Sequence, residues 1–197
     1  VNAVQIAVDE FGGKINGVPI EVIHGDHQDK PDIGISLAKR WYDTEQVDVI
    51  LDVVNSAVAL AVQNAARERG KAVLYSEAGS ADLTGKACAP YSAAWTYDTY
   101  QFGKAIGEAM PRLGKTWFII AADYNFGKLL AAGVKANVEK AGGKVLGTVF
   151  HPFGTSDMSS FILQAQASKA EVIALGNAGP DMTNAIKSAG EFGLIAS

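Results

Sequence analysis

The stretch from Asp48 to Gly70, DVILDVVNSAVALAVQNAARERG, admits few conformations. Its apolar run Val49-Ile50-Leu51 is short and flanked by acids, which reads as a buried parallel strand. Asn55-Ser56 turns polar and marks a loop. Ala57 to Arg69 then carries a helical pattern that Gly70 closes. Ser56 falls at the predicted N-cap. There the first backbone N–H groups lack partners within the helix, and the macrodipole favours negative charge. Two readings of Ser56 stand side by side. It is a capping serine, or its hydroxyl and the free N–H groups hold an anion such as a carboxylate.

The same strand–loop–helix unit recurs along the chain. A helix over Val4, Val8 and Phe11 stops at Gly12-Gly13, and a strand is predicted over Val18–Ile23. Pro31 starts a helix with Ile33, Leu37 and Trp41 in one stripe. A strand over Ala72–Tyr75 leads into the small, polar loop 76–85. Residues 86–98 break the alternation, with Pro90-Tyr91-Ser92 and the aromatic group Trp95-Thr96-Tyr97 read as a crossing segment. A helix over Thr99–Leu113, a strand over Thr116–Ala121 and a helix ending at Gly142-Gly143 follow. Strands over Val145–Phe150 and Glu171–Leu175 are each followed by a helix, the last over Met182–Phe192. Such alternation predicts an α/β fold with parallel sheets flanked by helices. The break divides it into two domains, 1–95 and 96–197. Gly-Gly-Lys between a helix and a strand occurs at 12–14 and again at 142–144, which suits two halves of like topology. Ligands of such sheets bind beyond the carboxyl ends of the strands, so loops 24–29, 54–57, 76–82, 122–127, 151–157 and 176–181 are the ones to inspect.

The chemistry of those loops is narrow. His24, Asp26, His27 and Asp29 lack the helical spacing of a zinc protease, and no further His or Cys cluster completes a metal site. Ser36-Leu37-Ala38-Lys39 matches Ser-x-x-Lys without its companion motifs. Gly114-Lys115-Thr116 precedes a strand, the reverse of a phosphate loop. Cys88, the single cysteine, reads as a small core hydrophobe. A net charge of −4 with no cluster of Lys and Arg argues against nucleic acid. No apolar run approaches the roughly 20 residues of a membrane span. What remains is Ser, Asn, Gly, Tyr and Phe at strand ends. That composition suits recognition of a small molecule rather than acid–base catalysis. For Tyr124 and Phe126, loop packing is an equal alternative.

Taken together, GVPIEVIHGDHQDKP, DVVNSAVALAV, SEAGSADLTG, ADYNFG and GGKVLGTVFHPFGTSDMSSFILQAQASKAEVIALGNAG resemble the type I periplasmic binding proteins. The nearest group is the branched-chain amino-acid, or leucine-binding, receptors of ABC transporters. The resemblance implies two Rossmann-like lobes that close on a ligand. It also implies a chain about twice this long, so both ends of the fold are expected to be incomplete, with the first strand before Val1 and the returning strands after Ser197. Val1-Asn2-Ala3-Val4 already reads as helix, in keeping with a start inside an element.

The resemblance places the ligand's carboxylate on Ser56, with Asn55 beside it. It places a second polar contact on Ala78, Gly79 and Ser80. Glu77 departs from the small residues usual there and implies either an ammonium contact or a blocked pocket. An aromatic of the second lobe falls on Phe126, where leucine receptors carry Tyr, with Tyr124 close by. Asn177-Ala178 stands where leucine receptors place an aromatic. These departures argue against a strict leucine site. Tyr97, Tyr124 and Phe126 point instead to an aromatic or other organic acid, ranked above a branched-chain amino acid. The implied protein is an extracytoplasmic, periplasmic component of an ABC importer. It has no cofactor and no enzymatic activity, takes a small-molecule carboxylate ligand, and touches the membrane only through a permease. A ligand-binding sensor domain is the alternative.

Overall fold

The computed structural model describes residues 2–109 and 114–195. The predicted continuation of one helix to Leu113, and the terminal Val1 and Ser197, lie outside them.

The elements run α1 (Asn2–Phe11), β1 (Lys14–Ile15), β2 (Val18–Pro19), α2 (Pro31–Asp43), β3 (Val49–Leu51), α3 (Ser56–Glu68), β4 (Ala72–Tyr75) and a 3-10 turn (Ala81–Leu83). They continue β5 (Ser92–Ala94), α4 (Thr99–Ala109), β6 (Thr116–Ala122), α5 (Asn125–Lys140), β7 (Lys144–His151), α6 (Ser159–Ser168), β8 (Val172–Gly176) and α7 (Gly179–Glu191). Among the described residues, β3-β4-β5 and β7-β6-β8 form two parallel sheets, and β1-β2 is a small antiparallel hairpin. The fold is α/β, with helices flanking both parallel sheets.

The second sheet explains its own sequence. β6 lies between β7 and β8. Its Trp117, Ile119 and Ala121 pack with α5 residues Leu130, Val134 and Val138 on one face. Its Phe118 and Ile120 pack with Met158, Ile162 and Ala185 on the other. With both faces covered, the strand reads TWFIIAA without polar alternation. The first half has a separate core of Ile50, Val58, Val62, Val73, Tyr75 and Leu83. Gly103 and Gly133 let the backbones of α4 and α5 approach, since a Cβ on Gly103 would meet Gly133 Cα at 2.9 Å.

Two expectations change here. The predicted strand over Val18–Ile23 is met only at Val18–Pro19. Beyond Pro19 the chain packs against α2, with Gly25 close to Leu37 and Trp41, and joins neither sheet. Packing against a helix gives such a segment contacts without a hydrogen-bonded ladder. The apolar stripe of α1 is also not buried: no residue of that helix is buried, and Phe11 is 68% exposed.

Candidate functional site

The predicted cap at Ser56 shifts by one residue. Asn55 is the N-cap of α3, in extended conformation, and its Oδ1 accepts from the N–H groups of Ala57 at 2.9 Å and Val58 at 3.2 Å. Ser56 is the first helical residue and 2% exposed. The correction has a chemical consequence. Two of the N–H groups expected to be free for an anion are committed to Asn55, and Ala59 N–H bonds to the Asn55 carbonyl. The Ser56 N–H and hydroxyl are what this end of α3 still offers. The other end follows the sequence reading: Gly70 is left-handed at φ 63. The Gly70 and Lys71 N–H groups bond back to Arg67 and Ala66, closing the helix.

Because β3 and β4 are parallel neighbours, the loop after β4 lies beside the start of α3. Ala78, Gly79 and Ser80 of that loop are buried, whereas Glu77 is exposed. Gly79 is one point where the two halves meet. A Cβ there would lie 3.0 Å from Phe126 Cε2 and 3.1 Å from Tyr97 Cε2. Its carbonyl accepts from Thr99 N–H at 2.8 Å. Ser80 caps the 3-10 turn by accepting from Asp82 N–H, and its hydroxyl also bonds Asn125 Oδ1. Asn125 Nδ2 donates to Asp82 Oδ2 at 2.8 Å. One amide side chain thus clasps the first half from the start of α5.

The second half contributes three loops, one from each strand end. Phe126 is largely buried and belongs to the core beneath it, together with Ala121 and Leu130, so both readings of this residue meet in one ring. Tyr124 stands 6.0 Å from Phe126 and 5.0 Å, edge-on, from Phe153. Tyr97 is 44% exposed and stacks 4.8 Å from Phe102. Asn177 is buried and reaches His151, whereas Ala178, the N-cap of α7, is exposed. Asp181 is buried and accepts from Gly154 N–H, tying the loop after β7 to α7. The structure therefore brings Gly79, Tyr97 and Phe126 together, with Ser56 and Tyr124 on elements that adjoin them. It leaves Glu77 and Ala178 at the surface.

Sequence reasoning missed Phe153, His151, Asn125 and Asp82. All four fall within the strand-end stretches 76–82, 122–127 and 151–157 singled out from the sequence, which was the available signal: Asp82 in the 3-10 turn, Asn125 at the start of α5, His151 at the end of β7 and Phe153 in the loop after it. Cys88 is exposed rather than in the core, because it follows the 3-10 turn in a surface loop. Lys115 and Thr116 N–H groups both bond Glu171 Oε2, and these bonds hold that carboxyl below its usual range. Among the described residues, no three His, Cys, Asp or Glu converge as metal ligands. None of the described helices is long and apolar enough to cross a membrane.

Burial pushes the Tyr124 phenol up to about 12, and the charges of Asp181 and Asp29 disfavour its anion further. Burial raises Tyr42 and Tyr75 as well. A folded-state value above the unfolded one means the native protein holds that proton more tightly. Stability therefore falls as pH rises from about 10 through about 12. An alkaline titration followed by phenolate absorbance should show a late component from Tyr42, Tyr75 and Tyr124, and Tyr124→Phe should remove part of it. A titration with no late component would contradict the burial described.

A family model described as periplasmic binding protein matches residues 1–197. A periplasmic binding protein from Burkholderia mallei is 47% identical, with a TM-score of 0.95 over 98% of this chain and 52% of that one. A branched-chain amino acid ABC transporter periplasmic ligand-binding protein from Burkholderia xenovorans is 36% identical, with a TM-score of 0.77 over 99% of this chain and 52% of that one. An ABC transporter solute-binding protein from R. palustris, in complex with benzoate, is 24% identical, with a TM-score of 0.87 over 94% of this chain and 52% of that one. The chain spans about half the length of these solved proteins. No curated protein sequence matches it.

Proposed function

The chain belongs to the periplasmic binding protein family, and from that premise we propose that it captures a small carboxylate between two closing lobes, 1–95 and 96–197, for a membrane permease of an ABC importer. The protein works in the periplasm and binds its ligand without turning it over. The observation that carries this reading is the meeting of Gly79 with Tyr97 and Phe126, where loops from the carboxyl ends of both parallel sheets converge. A ligand held there touches both lobes. It favours the closed form by its differential affinity for it.

The carboxylate lies on the Ser56 hydroxyl and N–H at the positive end of α3. Tyr97, Tyr124, Phe126 and Phe153 supply flat apolar surface, which favours an aromatic or other organic acid over a branched-chain amino acid. Glu77 is exposed, which weakens the case for a buried ammonium contact there. The R. palustris relative binds benzoate, and the fold it shares with this chain is compatible with an acid of that size.

A thermal-shift panel of aromatic acids, aliphatic acids and amino acids on the intact protein tests the reading. Ligands raise the melting temperature, and a panel with no shift overturns it. Ser56→Ala should weaken the best ligand by about 1–3 kcal/mol, the range for a hydrogen bond to a charged group. Unchanged affinity by calorimetry would remove Ser56 from the site.

A further inference from the structure

The loop after β4 is tied to the second half by side chains whose polar atoms are all matched to one another. Ser80, 2% exposed, and Asp82, 7% exposed, lie in the first half. Asn125 reaches them from the first residue of α5. The Ser80 hydroxyl accepts from Asp82 N–H at 3.2 Å and donates to Asn125 Oδ1. Asn125 Nδ2 donates to Asp82 Oδ2 at 2.8 Å, and the Lys86 ammonium stands 3.1 Å from the same oxygen.

Hydrogen-bond capacity fixes this arrangement. A carboxylate only accepts, so the NH2 end of the amide faces Asp82 and its oxygen faces Ser80. A hydroxyl carries one proton, and that of Ser80 goes to Asn125. A ligand carboxylate needs a donor, and Ser80 has none left to offer it. Both ends of the Asn125 amide are likewise engaged. The group is complete without a bound molecule, and it joins the two halves.

Thr99 holds the same loop at a second point. Its N–H donates to the Gly79 carbonyl at 2.8 Å, and its Oγ1 accepts from Ala81 N–H at 3.2 Å. Thr99 directly follows the crossing segment, where a rotation of one half against the other displaces atoms least. Asn125 is separated from that segment by α4 and β6, so its bonds are the ones such a rotation breaks.

We infer that Asn125 is a latch of the closed form: its bonds to Ser80 and Asp82 are made when the lobes close and raise the closed share of the ligand-free protein. This rests on the cleft proposed above and adds to it a positioning residue that sets affinity without touching the ligand. Apparent affinity scales with the fraction of protein already in the binding-competent state. Weakening the latch therefore lowers affinity for every ligand by one factor, whatever its chemistry, whereas a contact residue discriminates among ligands.

Calorimetry on the intact protein with benzoate, phenylacetate and 4-methylpentanoate tests it. In Asn125→Ala, each of these acids that binds the natural protein should bind about tenfold or more weaker, by a common factor, as expected for losing a hydrogen bond to a charged group. Asn125→Asp sets two carboxylates against each other and should weaken binding further. Adding Asp82→Asn to it reverses the pair, amide for carboxylate, and should restore most of the affinity. A merely structural role would lower the urea midpoint of Asn125→Ala and leave affinity as it was. Unchanged affinity in Asn125→Ala, a factor that differs from acid to acid, or no recovery in the reversed pair overturns the inference and leaves the cleft standing. Binding of none of the three acids by the natural protein overturns the cleft and this inference with it.

Discussion

Substituting valine for Gly127 is expected to destabilise the second half of the molecule by about 3 kcal/mol or more, the upper range for forcing atoms into a packed interior. Gly127 lies in the first turn of α5, against the end of β6. A Cβ there would fall 2.1 Å from the Ala122 carbonyl oxygen and 3.0 Å from its carbon and nitrogen. These are backbone atoms of a buried strand and have no rotamer to move to. The start of α5 must shift, carrying Asn125 and Phe126 with it. Urea unfolding should show a lower midpoint at an unchanged slope. A midpoint equal to the natural protein's would mean that α5 absorbs the added carbons without cost.

Gly79→Leu should act on binding instead. A Cβ at Gly79 meets side-chain ring carbons of Phe126 and Tyr97, which can yield when the two halves separate. The strain therefore falls mainly on the closed form. A penalty of about 1–3 kcal/mol on that form weakens a ligand that requires it by about 5–150-fold. The melting temperature without ligand should move far less than in the Gly127 variant. Retained affinity would show that closure does not bring Gly79 against these rings, and would remove it from the site.

The α/β alternation was legible because period and punctuation agree locally. The helix closed by Gly70 and the unbroken apolar strand at 116–122 each state their own environment. The run at 49–51 is a parallel strand as expected but not a buried one: only Ile50 is buried, whereas Val49 is 37% and Leu51 41% exposed, because one face of this three-residue strand is left uncovered. The cap at the start of α3 was missed by one residue. Asn55 and Ser56 are both capping types, and only the backbone angle at 55 decides which side chain reaches the N–H groups. The strand expected over Val18–Ile23 is met only at Val18–Pro19 for a different reason: strand pattern does not say how far a partner strand runs, and β1 pairs only those two residues. The pair His151–Asn177 could not be read at all, since it depends on β6 inserting between β7 and β8. Asn125 was hidden similarly. Its hydrogen bonds to Ser80 and Asp82 exist only because the two halves approach. Tyr97, Tyr124 and Phe126 were legible as aromatics in loops, but Phe153 beside Tyr124 was not singled out.

The placement of β6 between two strands and two helical layers sets a gradient of local stability. Its amides are laddered on both edges and shielded on both faces, so their hydrogen exchange should require unfolding of the whole second half. The amides of α1, none of whose residues is buried, should exchange through fraying at almost no cost. Phe126 is anchored in the core built on β6, so its ring should stay fixed while the periphery of the molecule frays.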